Sequence, residues 1–349
     1  MTVQVRAAAL SNYAEVARQL GLDPGRMLRE AGLSVRALSD PDMRVSAARV
    51  VGLLEASAER SGCLTFGLRM AESRRLSDFG AISLLITHQR TLRDVLLLMV
   101  RYRNLLNEAL TIDLEDAHDL VIIREELVIE STQTARQSHE LAVGTIFRMF
   151  HDVLGPRWHP YSVNFTHAAP PDRGVHRRLF GLNVKFDSEF NGIVCAAADL
   201  NLPNPAADPV MARYAQQFLE TLPKTEPGSV TLDVRKAVYI LLPLGKVSSE
   251  QIAQTLGFNV RTLQRRLDRE KISLSKLVNG VRRDLAMRYL SNRSYQLIQI
   301  AEMLGYAQVS SFTRWFVAQF GMPPIQWRRS DSSSRKGSTK VPNGRRRRH

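Results

Sequence analysis

The sequence predicts an α+β domain followed by an all-α domain of two helix-turn-helix units joined by a long helix. Three observations carry this prediction. The segment SSEQIAQTLGFNVRTLQRRL, residues 248–267, is echoed by IAEMLGYAQVSSFTRWFVAQF at 300–320. Between residues 111 and 197 the apolar spacing repeatedly switches from helical to alternating. From Gly228 onward the chain carries 23 Lys+Arg against 7 Asp+Glu, whereas the first 227 residues carry 25 against 27.

At 349 residues the chain has room for two or three domains. No apolar run approaches the roughly 18 residues of a membrane span, and the longest, Val95 to Val100, is far shorter, so no membrane partner is expected. The opening MTVQVRAAALSNYAEVARQL lacks a basic stretch followed by an apolar core, so no secretory signal is expected. Cys63 and Cys195 make neither a metal spacing nor a disulfide framework, which fits a reducing cytoplasm. The basic excess after Gly228 is the footprint of a phosphate-binding surface on an otherwise near-neutral chain. Such a surface attracts a polyanion and loses affinity as salt rises.

The first 107 residues read as helical. Tyr13 to Leu20 has apolar residues at helical spacing. Asp23 then caps a second helix with Pro24 at its first position, and Gly32 stops it. Asp40-Pro41 is a turn. Val45 to Ala58, Phe79 to Ile86 and Thr91 to Leu106 continue the pattern, with Thr91 as an N-cap and Asp94 in the first turn, where acid suits the helix dipole. Thr111 to Asp116 and Leu120 to Glu125 alternate around an Asp-containing turn, a hairpin signal. Ser138 to Leu154 is helical. Tyr161 to His167 alternates, with Val163 and Phe165 on one side and Asn164 and Thr166 on the other. His176 to Phe180 is a short helix ended by Gly181. Val184 to Phe186 and Ile193 to Ala197 are short strands. The Pro-rich run 201–209 closes the sheet region, and Met211 to Leu222 is a helix. Residues 1–222 are therefore expected to form one regulatory domain and PKTEPG, within 223–229, a linker.

The basic domain runs from 230 to 329. Ser248 caps its first motif helix, with Gln251 completing a capping box. Ile252 and Leu256 share a face. Gly257 supplies the left-handed C-terminal residue, and Asn259 caps the next helix. Leu263 and Leu267 point to the core, which leaves Arg261, Gln264 and Arg265 outside. In the second copy Ile300-Ala301 fall on Ile252-Ala253, Phe312 on Leu263 and Phe316 on Leu267. Its exposed set is Ser310, Ser311, Thr313 and Arg314. Arg and Gln make bidentate contacts to guanine and adenine edges in a major groove. Ser273 to Leu290 is a continuous helical pattern between the copies, roughly 27 Å long at 1.5 Å per residue, enough to set two recognition helices about one DNA turn apart. The tail 330–349, polar and ending in four arginines, is expected to be disordered.

These motifs resemble the DNA-binding domain of the AraC/XylS family of bacterial transcription regulators. IAEMLGYAQVSSFTRWFVAQFGMPPIQWRR resembles the family signature from end to end, and IAQTLGFNVRTLQRRL matches the first-motif pattern. The resemblance implies that Arg261, Gln264 and Arg265 in the first unit, and Ser310, Thr313 and Arg314 in the second, face bases in successive major grooves of double-stranded DNA. Lys271 departs from the glycine usual in the family, which bears on the local turn. More weakly, LGLDPGRMLREAGL, TLRDVLLLMVRYRNLL and HPYSVNFTHAAPP with RRLFGLNVKFDSEFNGIV resemble the family's arabinose-binding-type sensor domain. The family implies a regulator controlled by a small-molecule effector, usually an activator acting with RNA polymerase, and a homodimer on paired half-sites.

The alternatives are a ligand-responsive repressor and an enzyme fused to a DNA-binding domain. For catalysis, neither cysteine has a base beside it in sequence. His139, His151, His159, His167 and His176 match no zinc spacing, so neither a metal nor a cofactor is expected. Arg101, Arg103, Trp158, His159 and Tyr161 are candidates to line a pocket for a small carboxylate. Taken singly, Arg101 and Arg103 also read as a solvated helix face and Trp158 as core.

Overall fold

The front of the chain folds where its apolar spacing places helices. In this computed structural model, which describes residues 3–129, 134–155, 158–221 and 229–329 and only the backbone of 103 and 104, α1 spans Tyr13–Gln19 and α2 Pro24–Glu30. Asp23 caps α2 by accepting the Arg26 amide at 3.0 Å, and Gly32, at φ +70°, follows its end. Strands β1 (Gln4–Arg6) and β2 (Arg44–Ser46) pair antiparallel with Val5 opposite Val45. The helical reading of this region missed them, because a three-residue strand offers too little alternation to stand out. Val45 thus belongs to a strand, and the helix expected from it, α3, spans Ala47–Ser61.

Helices α4 (Phe66–Glu72), α5 (Ile82–Thr87), α6 (Leu92–Arg101) and α7 (Arg103–Leu106) follow. Phe79 ends a 3-10 turn instead of opening a helix, and Gly80, at φ +71°, separates that turn from α5. Thr91 caps α6 by accepting the Asp94 amide at 3.2 Å, and the single helix expected to Leu106 breaks at Tyr102. Strands β3 (Leu110–Ala117) and β4 (Leu120–Leu127) form the expected hairpin, turning through His118 at φ +59°. With β5 (Ser162–Asn164), β6 (Val184–Lys185) and β7 (Asn191–Ala196) they make a five-stranded sheet in the order β3-β4-β7-β5-β6. Only the β5–β6 pair is parallel. Strand β5 departs from a one-sided reading: Val163 and Phe165 are core, but Ser162 and Asn164 are buried as well, and the Asn164 amide donates to Ser162 Oγ at 3.0 Å.

Helix α8 (Arg136–Leu154) packs on β4, β7 and α4, α9 (Gly174–Phe180) joins β5 to β6, and α10 (Pro209–Thr221) lies on α5. Three histidines of this domain lie against buried carboxylates. His139 Nδ1 lies 2.8 Å from Glu125 Oε2. His176 Nε2 hydrogen-bonds Glu140 Oε1 at 3.2 Å, and His167 Nε2 lies 3.1 Å from the same oxygen. Burial alone would push Glu140 upward, but its two histidines and Arg136 hold it near about 2. His151 packs edge-on to Trp158, and His159 is exposed. Among the described residues, no group of three or more His, Cys, Asp or Glu is arranged to hold a metal ion. Cys195 is buried in β7, and burial pushes its thiol up to about 12, far from a nucleophile's range. None of the described helices is long and apolar enough to cross a membrane.

Glu55 of α3 substitutes for a local cap on α8. Its Oε1 accepts the Gln137 amide at 2.7 Å, in the first turn of α8, which has no capping side chain of its own. Burial raises the Glu55 carboxyl to about 7, more than the Gln137 hydrogen bond and nearby Arg136 lower it. Ionisation is therefore harder in the folded chain than in the unfolded one. The associated stability is fully present below the unfolded value near 4.5 and is lost as pH rises toward 7. Glu55→Gln keeps the acceptor and removes the titration. Urea unfolding from pH 4.5 to 7.5 should show the native protein losing stability on the order of 1–3 kcal/mol relative to the variant. Parallel profiles would refute this.

The second compact unit begins at Val230. It contains α11 (Val230–Leu241), α12 (Ser249–Thr255), α13 (Val260–Arg269), α14 (Leu274–Ser291), α15 (Leu297–Met303) and α16 (Val309–Phe320). Helix α11 was not anticipated as an element. Its buried Val234, Ala237, Val238 and Leu241 follow helical spacing and pack on α14, and Tyr239 donates to Asp284 at 2.7 Å. The linker at 223–228 and the tail after Arg329 lie outside the described residues.

Candidate nucleic-acid interface

Each helix-turn-helix is built by local hydrogen bonds that the sequence specifies. Ser248 Oγ accepts the Gln251 amide at 3.1 Å to start α12. The Gln251 side chain turns to Gln254 instead of reaching back to Ser248, so only half of the expected capping box forms. Gly257, at φ +69°, ends the helix, and the Phe258 amide returns to the Ala253 carbonyl at 2.8 Å. That six-to-one bond satisfies an otherwise orphaned carbonyl. Asn259 Oδ1 then accepts the Thr262 amide at 2.8 Å and starts α13. In the second unit Gly305, at φ +77°, and the Tyr306 amide to the Ala301 carbonyl at 2.8 Å repeat the same turn.

The buried positions match copy for copy. Ile252, Ala253, Leu263 and Leu267 are within 2% of complete burial, as are Ile300, Ala301, Phe312 and Phe316. The second core is aromatic: Phe316 stacks on Phe320 at 4.3 Å and meets Trp327 from residues 324–329, a final helical turn.

Burying 263 and 267 forces the rest of α13 outward. Arg261, Gln264 and Arg265, three and four apart, share that outer face and are exposed. In α16, Ser310 and Arg314 are exposed and Thr313 is half-buried. Four neighbouring cations are already occupied. Arg266 lies over the Phe258 ring at 4.3 Å. Arg282 donates to the Leu304 carbonyl at 3.1 Å and covers Tyr306 at 5.1 Å. Arg235 pairs with Asp284, and Arg328 donates to the Leu290 carbonyl at 3.1 Å. Among the described contacts Arg261, Arg265 and Arg314 have no such partner. Counting charge along the sequence could not separate these two sets. The signal that could have done so is the aromatic residue placed just after each turn glycine.

Lys271 sits where a glycine fits best, at φ +54°, with its amide on the Asp268 carbonyl at 3.0 Å and the Ile272 amide on the Leu267 carbonyl at 3.2 Å. The turn out of α13 therefore keeps its form with lysine and carries the strain. A left-handed non-glycine residue costs about 1 kcal/mol. Lys271→Gly should raise the urea midpoint of the full chain by an amount corresponding to about 1 kcal/mol, less the entropy glycine adds to the unfolded chain. A lowered midpoint would count against this account.

Four of the five candidate ligand residues of the first domain have described side chains. Arg101 is exposed at the end of α6, over Tyr102. The Arg103 side chain is outside the described residues. Trp158 is buried between Phe147 and Phe150, its indole donating to Asp199 at 3.0 Å. His159 is exposed, as is Tyr161 beneath Lys185.

Comparison with known proteins agrees with both units. Residues 21–204 match the model of the arabinose-binding domain of AraC transcription regulators, and 252–330 match a helix-turn-helix domain. The chain is 32% identical to the HTH-type transcriptional regulator VirS of Mycobacterium tuberculosis, over 93% of this chain and 96% of that protein. It is 24% identical to the ornithine utilization regulator of Pseudomonas aeruginosa, over 90% and 91% of the two chains. The crystal structure of the transcriptional regulator CdpR from Pseudomonas aeruginosa aligns with a TM-score of 0.42 at 20% identity, covering 89% of this chain and 97% of that one. The chain belongs to the AraC family of transcriptional regulators, with an arabinose-binding-type domain in front of its helix-turn-helix DNA-binding domain.

Proposed function

We propose that the chain is a sequence-specific activator, controlled in the cytoplasm by a small-molecule effector bound to residues 1–222. In this reading α13 and α16 enter successive major grooves. Arg261, Gln264 and Arg265 read base edges from the first helix, and Ser310, Thr313 and Arg314 act from the second. The observation that carries it is the unoccupied outer face of α13, three polar donors on a helix whose opposite side is fully buried. Helix α14, with 18 residues, supplies the rigid spacer, about 27 Å long. Residues 223–229 serve as linker, RNA polymerase is the partner in activation, and two copies act on paired half-sites.

The test is footprinting on the DNA upstream of the gene and its neighbours, followed by affinity against salt. Protection of two segments about 10 base pairs apart is expected. Log affinity should fall linearly with log salt, with a slope of about −0.9 per phosphate contacted. A continuous footprint with no sequence preference would refute base reading. Transcription in vitro with and without the bound protein then fixes the sign of control.

A further inference from the structure

The first unit contains an apolar cavity whose described lining includes none of Arg101, Trp158, His159 and Tyr161. It lies among β1, α3, α8 and the ends of β3 and β4, and opens to solvent on one side. One face of α8, from Ser138 through Leu141, Ala142 and Thr145 to Ile146, forms a wall, about 12 Å long at 1.5 Å per residue. The other walls are mostly apolar, with polar side chains at Arg6, Arg74, Asp78 and Asn107. Helices α4 and α8 run parallel here, since Gly67 abuts Gln137 and Ala71 abuts Gly144. Arg74, just beyond α4, therefore belongs to the Thr145 end of the slot, with Ser138 at the other.

Each arginine at that end faces a carboxylate, but Arg74 keeps a spare donor. Arg74 is 7% exposed, and its two terminal nitrogens donate to the Ala8 and Ala9 carbonyls at 2.6 and 2.7 Å. Its Nε is buried without a hydrogen-bond partner, and Asp78 is 4.0 Å away. Arg6 is 9% exposed, pairs with Asp42, whose own side chain is 80% exposed, and donates to the Phe79 carbonyl at 3.0 Å, so its donors are taken. Burial lowers Arg74 to about 10, more than the nearby Asp78 carboxylate raises it. A buried guanidinium with a spare donor at the end of a mostly apolar slot suits a carboxylate at the arginine and an alkyl chain behind it.

We propose that this cavity is the effector site and that it takes a medium-chain fatty carboxylate, with its head at Arg74 and its chain along α8. The assignment deepens the effector-controlled reading above and rests on it for its regulatory meaning. Calorimetric titration of the full-length protein with dodecanoate, below the micellar concentration, should give saturable one-to-one binding with a negative heat-capacity change. Methyl dodecanoate and dodecylammonium should each bind at least tenfold more weakly. Because Arg74→Gln also removes the anchors on Ala8 and Ala9, the second variant is Ala142→Phe, which fills the slot without touching the arginines. Circular dichroism should show it folded, and dodecanoate binding should fall at least tenfold. Equal binding of acid and ester, or undiminished binding by folded Ala142→Phe, would overturn the assignment. DNA affinity is measured separately. If dodecanoate binds as expected but neither DNA affinity nor transcription responds, the cavity assignment stands and the effector-controlled reading fails. If other metabolites change DNA binding while dodecanoate does not bind, the reverse holds.

Discussion

Gly67→Ala is expected to cost about 3–5 kcal/mol, because there is no space for one methyl group. A Cβ at Gly67 would lie 2.0 Å from the Gln137 backbone carbonyl. One helix must then move. The contact is also polar: the Gly67 amide donates to Gln137 Oε1 at 2.9 Å, and Gln137 Nε2 donates to the Leu64 carbonyl at 3.0 Å. Seven residues along α8, Gly144 faces Ala71, where a Cβ would come within 2.7 Å of the alanine methyl. Two glycines, one from each helix, thus let α4 and α8 approach closely along their length. Moving α8 would disturb Phe66, Met70 and Leu141 on one side and its packing on β4 and β7 on the other. Urea unfolding of the full chain should show the loss in its earliest transition. A variant within 1 kcal/mol of native stability would mean that the helices separate without penalty.

Gly67 also marks the limit of what the sequence discloses. The helix-turn-helix units were legible because each of their signals acts within a few residues. Ser248 caps Gln251, Gly257 lets Phe258 return to Ala253, and Asn259 caps Thr262. The duplication then checked each assignment against a second copy. The first domain depends on distant partners. Val5 finds Val45, Glu55 caps a helix that begins at Arg136, and Arg74 binds Ala8 and Ala9. No spacing rule connects such pairs. Trp158 illustrates the cost: an indole beside a histidine suggests a binding site, yet its N–H is spent on Asp199 and its ring on Phe147 and Phe150. The cavity walls come from Val5 to Ile146, and only the fold assembles them.

Arg265→Ala should lower affinity for the protein's own DNA site about ten- to hundredfold, or 1–3 kcal/mol, and relax selection at one base position. A guanidinium matches the O6/N7 pair of guanine with two parallel hydrogen bonds, which alanine cannot replace. Random DNA, held through phosphates, should lose much less. Arg266 is the internal control on the same helix. Both are exposed cations, but Arg266 is spent on the Phe258 ring, whereas Arg265 has no described partner. Arg266→Ala should therefore lower stability by about 0.5–1 kcal/mol and leave base preference unchanged. Selection of binding sites from a random pool by native protein and both variants separates the roles. Equal losses on specific and random DNA for Arg265→Ala would assign it to the phosphate backbone. Altered base preference for Arg266→Ala would mean that the ring contact gives way when DNA binds. Arg265 has no internal interaction to surrender before it meets a base, so its loss should appear in recognition and leave the unfolding midpoint where it is.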